Sequence, residues 1–303
     1  MKHLVSIEQL ARADIEHLLQ RAHALTEAPR AEKCDRLRGR VVVSMFYEPS
    51  TRTRLSFESA ALKLGAGVTG FSESKNTSAS KGETLEDSVR MCGAYGDALV
   101  LRHSEAGSAA RAAAVSSVPV INAGDGANEH PTQTLVDLYT LWREHGRLDE
   151  LQIAFVGDLR FGRTVHSLIK ALALFKGTRV ILVAPPALGM PDQLQEAAQA
   201  RGVSVAHASN VRTVLGQVDS IYMTRVQRER IPYDMLDGVS WSSYRLTKEL
   251  LDEAPSHLRI LHPLPRVDEL TPDVDDCVQA AYFRQAAAGI PVRQSLLLHL
   301  LEA

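Results

Sequence analysis

Long apolar runs are missing from this 303-residue chain, and none approaches the ~18 residues that a membrane helix needs. Cysteine is scarce. Cys34, Cys92 and Cys277 are odd in number and far apart, with no CxxC pair and no zinc spacing, which points to free thiols in a reducing compartment. Charge of one sign is missing too. The 34 Lys and Arg against 36 Asp and Glu leave a net charge of −2, so a general nucleic-acid surface is excluded and any anion site must be local. The opening residues, Met1 to Glu8, meet charge too soon for a signal peptide. Neither an internal repeat nor a Pro-rich linker is present. These absences predict a soluble cytoplasmic protein without membrane or nucleic-acid partners.

What is there is ordinary globular material, 45% hydrophobic and 23% charged. The length suggests two domains at a prior of ~150 residues each. An amphipathic helix is marked by Ile15, Leu18, Leu19 and Ala22 at i, i+3, i+4 and i+7. Short apolar runs then alternate with helical patterns. They predict strands at 41–46, 68–72, 97–101 and 118–122, and again at 152–157, 179–184, 203–206, 219–223 and 258–261. Alternating β and α elements imply parallel sheets covered by helices on both faces. The expected architecture is α/β, with two doubly wound parallel-sheet domains, a cleft between them, and a long interdomain helix over 131–145. The domains are set at 1–145 and 146–286. The last amphipathic stretch, 291–302, could close either domain, and a C-terminal helix over 287–303 is assigned to the first.

The most informative run is Glu48-Pro49-Ser50-Thr51-Arg52-Thr53-Arg54, between an apolar strand and a helical pattern. Helix N-terminal N–H groups lack partners and carry partial positive charge. Hydroxyls and arginines at that spot make a site for a phosphate-like dianion. Successive helical residues turn by ~100°, so Arg52 and Arg54 point to nearly opposite sides. Arg52 is assigned to the ligand and Arg54 to bracing the structure, with Glu48 as its candidate partner.

A second cluster, Asn122 to Gln133, reads as a strand exit, a Gly-rich turn and a helix start. Pro131 suits the first helical position, which puts His130 at the N-cap and Gln133 one turn on. The positive helix end favours a neutral His130 acting as a donor, although a purely structural capping role remains open. Gly157-Asp158-Leu159-Arg160-Phe161-Gly162-Arg163-Thr164 has P-loop spacing, with Arg163 where the lysine would stand. The replaced lysine, Asp158 within the loop and the lack of a Walker B aspartate favour a carboxylate clamp by Arg163 over nucleotide binding. A GxGxxG fingerprint is absent. The polar stretch 72–82 should be mobile. Arg225 and Gln227 share one face of a strand end, and His262-Pro263-Leu264-Pro265-Arg266 follows the last strand, where stiff backbone can offer carbonyls to an amine. Alone, these three segments would read as a surface loop, a solvated charge run and a rigid crossover.

In their order and spacing these segments resemble the aspartate/ornithine carbamoyltransferase family, and the resemblance covers nearly the whole chain. STRTR at 50–54 and HPTQ at 130–133 carry its specificity. The resemblance implies transfer of a carbamoyl group from carbamoyl phosphate to the amine of L-aspartate, an early step of pyrimidine synthesis, with no cofactor and no metal. The first domain would then bind carbamoyl phosphate and the second aspartate. By resemblance, Ser50, Thr51, Arg52 and Thr53 grip the phosphate; Thr53, Arg102 and His130 polarise the carbonyl; and Gln133 with the Pro263 and Leu264 carbonyls holds the NH₂. Arg163, Arg225 and Gln227 would take the aspartate carboxylates. Ser78 and Lys81 would reach in from a neighbouring subunit of a homotrimer, Lys81 serving both substrates. Further assembly with regulatory or other pathway chains is left open. Ornithine as acceptor is the alternative, but that branch carries a cysteine in an HCLP motif where His262-Pro263-Leu264-Pro265 stands here. A catalytically inactive scaffold homologue is a third reading, and the full set of matched residues argues against it.

Overall fold

Nine strands form two parallel sheets in the computed structural model, which describes residues 1–73, 77–226 and 240–302. The chain divides into two units, Met1–Val136 with Ala288–Ala303, and Asp137–Ala287. This division falls inside a helix.

The first unit carries α1 (Arg12–Glu27), α2 (Arg30–Lys33), β1 (Val41–Phe46), α3 (Thr51–Lys63), β2 (Gly67–Phe71), α4 (Leu85–Tyr95), β3 (Ala98–His103), α5 (Ser108–Val115) and β4 (Val120–Asp125). Its sheet order is β2-β1-β3-β4. The central strands are buried apolar runs, whereas β2 at the edge is largely exposed; parallel strands covered on both faces need that continuous hydrophobicity. Val43, Met45, Leu99 and Leu101 pack with Leu85 and Val89 of α4 and with Ala112 of α5. In α1 the expected Ile15, Leu18, Leu19 and Ala22 are all buried.

Helix α6 (Pro131–His145) spans the division of the chain. The second unit continues with β5 (Gln152–Val156), α7 (Arg163–Leu172), β6 (Arg179–Val183), α8 (Asp192–Ala200), β7 (Ser204–Ala208), β8 (Ser220–Met223), α9 (Lys248–Asp252), β9 (Arg259–Leu261) and α10 (Tyr282–Leu301). Its sheet order is β7-β6-β5-β8-β9. Helix α10 begins well before the expected 287 and contains Pro291. Proline cannot supply the i→i−4 bond, here to Ala287, and the two units divide between Ala287 and Ala288. No helix among the described residues is long and apolar enough to cross a membrane.

All nine expected strands are present, most shifted by one or two residues. The largest departure is β4, which runs to Asp125 although the sequence predicts a strand that ends at Asn122 and gives way to a Gly-rich turn. Those polar side chains bond one another and nearby backbone inside the unit, so hydropathy underestimated the strand.

Candidate active site

In each sheet the strand order reverses once, between β1 and β3 in the first and between β5 and β8 in the second. Ligands of open α/β sheets bind beyond the carboxyl ends of strands at such switch points. Ser50–Thr53 follow β1 and Arg102 lies near the end of β3 in the first unit, and Arg163 and Arg225 follow β5 and β8 in the second.

In the first unit Ser50 is the N-cap of α3, with φ −160°, and its side chain makes no capping hydrogen bond. The first-turn amides of α3 are thus left for another acceptor. Thr53 is buried at 8% exposure. Arg52 is exposed, and desolvation alone holds its guanidinium below the ordinary value, with no carboxylate beside it among the described residues. Arg54 differs. It pairs with Glu58 at 3.2 Å, so its expected brace on Glu48 is corrected. One helical turn sets Arg54 over Glu58, whereas Glu48, before the helix, faces Arg102 at 3.7 Å.

Arg102 lies in register with Phe46 across β1 and β3, and its Nη1 donates to the Ala123 carbonyl at 3.3 Å. Beside it the β4–α6 connection winds around one carboxylate. Asp125 accepts from the side chains of Asn122 and Asn128 and from the amides of Gly107 and Glu129, at 2.9–3.1 Å. Gly126 has φ +58°, and a Cβ there would stand 2.5 Å from the Ser104 carbonyl. Glu129 in turn accepts from Ser6 Oγ and the Ile7 amide, tying the N-terminal segment down. This scaffold places His130, 4% exposed, directly before Pro131. Thr132 Oγ1 lies 3.3 Å from His130 Nδ1, and the Gln133 amide donates to the His130 carbonyl at 2.9 Å.

Arg293 was missed by sequence reasoning. It is 4% exposed, with its guanidinium 4.9 Å from the Phe57 ring, so it fastens α10 to the helix that begins with Ser50. Its one signal was an arginine inside the apolar stretch 291–302. Of the 72–82 loop, Ser78–Lys81 form a short 3-10 turn, with Ser78 and Lys81 exposed, while 74–76 lie outside the described residues.

In the second unit β5 ends at Val156, and the loop Gly157–Gly162 leads to Arg163 at the first position of α7. The amides of Leu159, Phe161 and Arg163 donate to the Leu188 carbonyl, Asp158 Oδ1 and the Phe161 carbonyl at 2.9–3.0 Å. A P-loop keeps such amides for phosphate, so this loop is not a nucleotide cradle. Neighbouring β8 ends at Met223 and leads through buried Thr224 to Arg225. Gln227 lies outside the described residues.

Beyond β9, Leu264 has φ +55°, a conformation uncommon outside glycine. Its amide donates to His262 Nδ1 at 2.8 Å. An Nδ1 that accepts carries no proton, so His262 is protonated at Nε2, which meets Glu269 Oε1 at 2.7 Å. Burial pushes the Glu269 carboxyl up, but the hydrogen bond from His262 and those from nearby amides outweigh it and hold the group low.

Residues 2–143 match the family model described as aspartate/ornithine carbamoyltransferase, carbamoyl-P binding domain, and residues 149–300 match the Asp/Orn binding domain of the same family. The chain is 50% identical over 298 residues to the aspartate carbamoyltransferase catalytic subunit of Vibrio vulnificus, covering 98% of this chain and 95% of that one. The catalytic subunit of M. jannaschii aspartate transcarbamoylase superposes with a TM-score of 0.92 at 43% identity, covering 100% and 98% of the two chains. The Trypanosoma cruzi enzyme in complex with carbamoyl phosphate and aspartate gives 0.93 at 38% identity, covering 99% and 97%.

Proposed function

Because the chain belongs to the aspartate/ornithine carbamoyltransferase family, we propose that it transfers the carbamoyl group of carbamoyl phosphate to the amine of L-aspartate. The products are N-carbamoyl-L-aspartate and phosphate, and the pathway is pyrimidine synthesis. The observation that carries the choice of acceptor is the pair of arginines, Arg163 and Arg225, following β5 and β8 at the switch point of the second sheet. Two guanidinium groups suit a dicarboxylate. Ornithine, which ends in a cation, would be repelled.

In this reading Ser50, Thr51, Arg52 and Thr53 take the phosphate, the uncapped first turn of α3 supplying N–H donors. Thr53, Arg102 and His130 face the carbamoyl oxygen. His130, whose Nδ1 lies 3.3 Å from Thr132 Oγ1, serves in this reading as a donor to the carbamoyl oxygen. Gln133 and the carbonyls of Pro263 and Leu264 hold the NH₂, and Arg163, Arg225 and Gln227 hold aspartate. The neutral amine attacks the carbamoyl carbon, and negative charge builds on the oxygen beside the three donors. Donors fixed at developing charge are commonly the largest catalytic contribution, about 3–4 kcal/mol each. As the C–O bond to phosphate breaks, the departing phosphate accepts the amine proton, so no strong protein base is required.

The reading extends to a cytoplasmic homotrimer in which Ser78 and Lys81 serve a neighbouring copy. In support, this turn is exposed, and Leu55 and Leu62 of α3 and Met91 and Tyr95 of α4 are 48–65% exposed. The three free cysteines suit a reducing compartment.

The test is an assay of purified protein with carbamoyl phosphate and either L-aspartate or L-ornithine. Carbamoyl aspartate is expected from the first pair and no product from the second. The reverse outcome would overturn the assignment.

A further inference from the structure

A chain of buried hydrogen bonds in the second unit ends on the segment assigned to the carbamoyl NH₂. Tyr222 Oη donates to Asp137 Oδ2 at 2.9 Å, and Gln285 Nε2 donates to Asp137 Oδ1 at 2.7 Å. Gln285 Oε1 accepts from the His262 amide at 2.8 Å. His262 Nδ1 then accepts from the Leu264 amide at 2.8 Å, and Glu269 holds the far side of the ring. Tyr222, Asp137, Gln285 and His262 are each at most 1% exposed.

The four elements involved, β8, α6, α10 and the β9 exit, meet through side chains that carry no packing necessity for polarity. Apolar residues would fill the space, and a buried carboxylate is costly unless its partners are fixed. Leu264 explains where the network acts. A leucine at φ +55° persists only where its surroundings over-determine it, and the relay clamps the residues on its N-terminal side: His262 by its amide and both ring nitrogens, Leu264 by its amide. The directions of the Pro263 and Leu264 carbonyls follow from those clamps.

We infer that Asp137 and Gln285 are positioning residues, which through His262 aim the Pro263 and Leu264 carbonyls at the carbamoyl NH₂. The inference rests on the proposed function for the identity of that group. It adds two residues that touch no substrate.

The test exchanges donor and acceptor. Gln285→Glu alone sets two carboxylates against each other and breaks the relay. Adding Asp137→Asn restores the relay bonds named above, because the side-chain amide introduced at position 137 donates to the carboxylate at 285 while its oxygen still accepts from Tyr222. The single variant should raise the KM for carbamoyl phosphate about tenfold or more, with the KM for aspartate within about twofold, and the double variant should return to within about threefold of the parent. A general loss of folded protein would lower apparent kcat alone. Tyr222→Phe, which deletes one hydroxyl, gives a second reading with a rise of about threefold, should the first variant not fold. Hydrogen exchange at the Leu264 amide supplies a readout independent of turnover: about tenfold faster in Gln285→Glu and slow again in the double variant. Unchanged KM for carbamoyl phosphate with unchanged exchange would overturn the relay, as would failure of the double variant to recover. An inactive parent enzyme with the exchange pattern intact would instead fault the proposed function.

Discussion

Gly157 faces Thr224 so closely that a Cβ on the glycine would lie 2.5 Å from the Thr224 carbonyl oxygen and 2.7 Å from its hydroxyl. The hydroxyl is itself engaged, donating to the carbonyls of Val156 and Asp158. This contact joins the exits of β5 and β8, which lead to Arg163 and Arg225. Gly157 also has φ +111°. Gly157→Ala therefore combines a clash with backbone strain, together about 2–4 kcal/mol. Thermal unfolding should fall accordingly, and the KM for aspartate should rise more than that for carbamoyl phosphate.

Arg52, proposed to hold the phosphate, and Arg54, paired with Glu58, stand two residues apart. Arg52→Ala removes charge-assisted bonds to phosphate of about 1.5–3 kcal/mol, a loss of about 10–150-fold in carbamoyl phosphate affinity. Arg54→Ala removes the pair with Glu58, part of which is solvent-exposed, and should cost about 0.5 kcal/mol of stability. Titration with carbamoyl phosphate and chemical denaturation read the two effects. Equal affinities in the two variants would remove Arg52 from the site.

Glu144 gives the second unit an acid-sensitive anchor. Its carboxylate accepts from Arg259 Nε at 2.7 Å and from Arg284 Nε at 2.9 Å. Burial pushes the group up, but the two arginines outweigh it and hold it below its ordinary 4.5. A lowered carboxyl contributes stability above its unfolded value and loses it as pH falls through the folded one. Glu144→Gln should thus be less stable by about 2 kcal/mol at pH ~7. The gap to wild type should close as pH drops from about 5 through the folded value. Denaturant midpoints across that range check the sign, and a gap that widens in acid would contradict it.

Assembly can be read by mixing inactive chains. Arg52→Ala and Lys81→Ala should each be nearly inactive, yet combined by gentle dissociation and reassembly they should recover activity well above either parent, because some sites then draw both intact residues from different copies. Sizing should show three chains per particle, and Tyr95→Asp, at a position 65% exposed, should give smaller species. A fully active monomer would end this model.

Local chemistry was legible without the structure. Apolar runs locate strands because parallel strands must be buried on both faces, and the Ser50–Arg54 run marks a helix start because there an apolar run gives way to helical spacing. For the same reason α6 runs from Pro131 to His145 as expected. Tertiary structure alone decided what meets across long separations. Arg102, more than fifty residues away, took Glu48, and Arg54 was left to Glu58. Asp137 found Tyr222 at a separation of 85 residues and Gln285 at 148. A sequence displays the identity of a buried polar residue but not its partner. That partner is chosen by strand order and helix packing, which bring together side chains that no local periodicity relates.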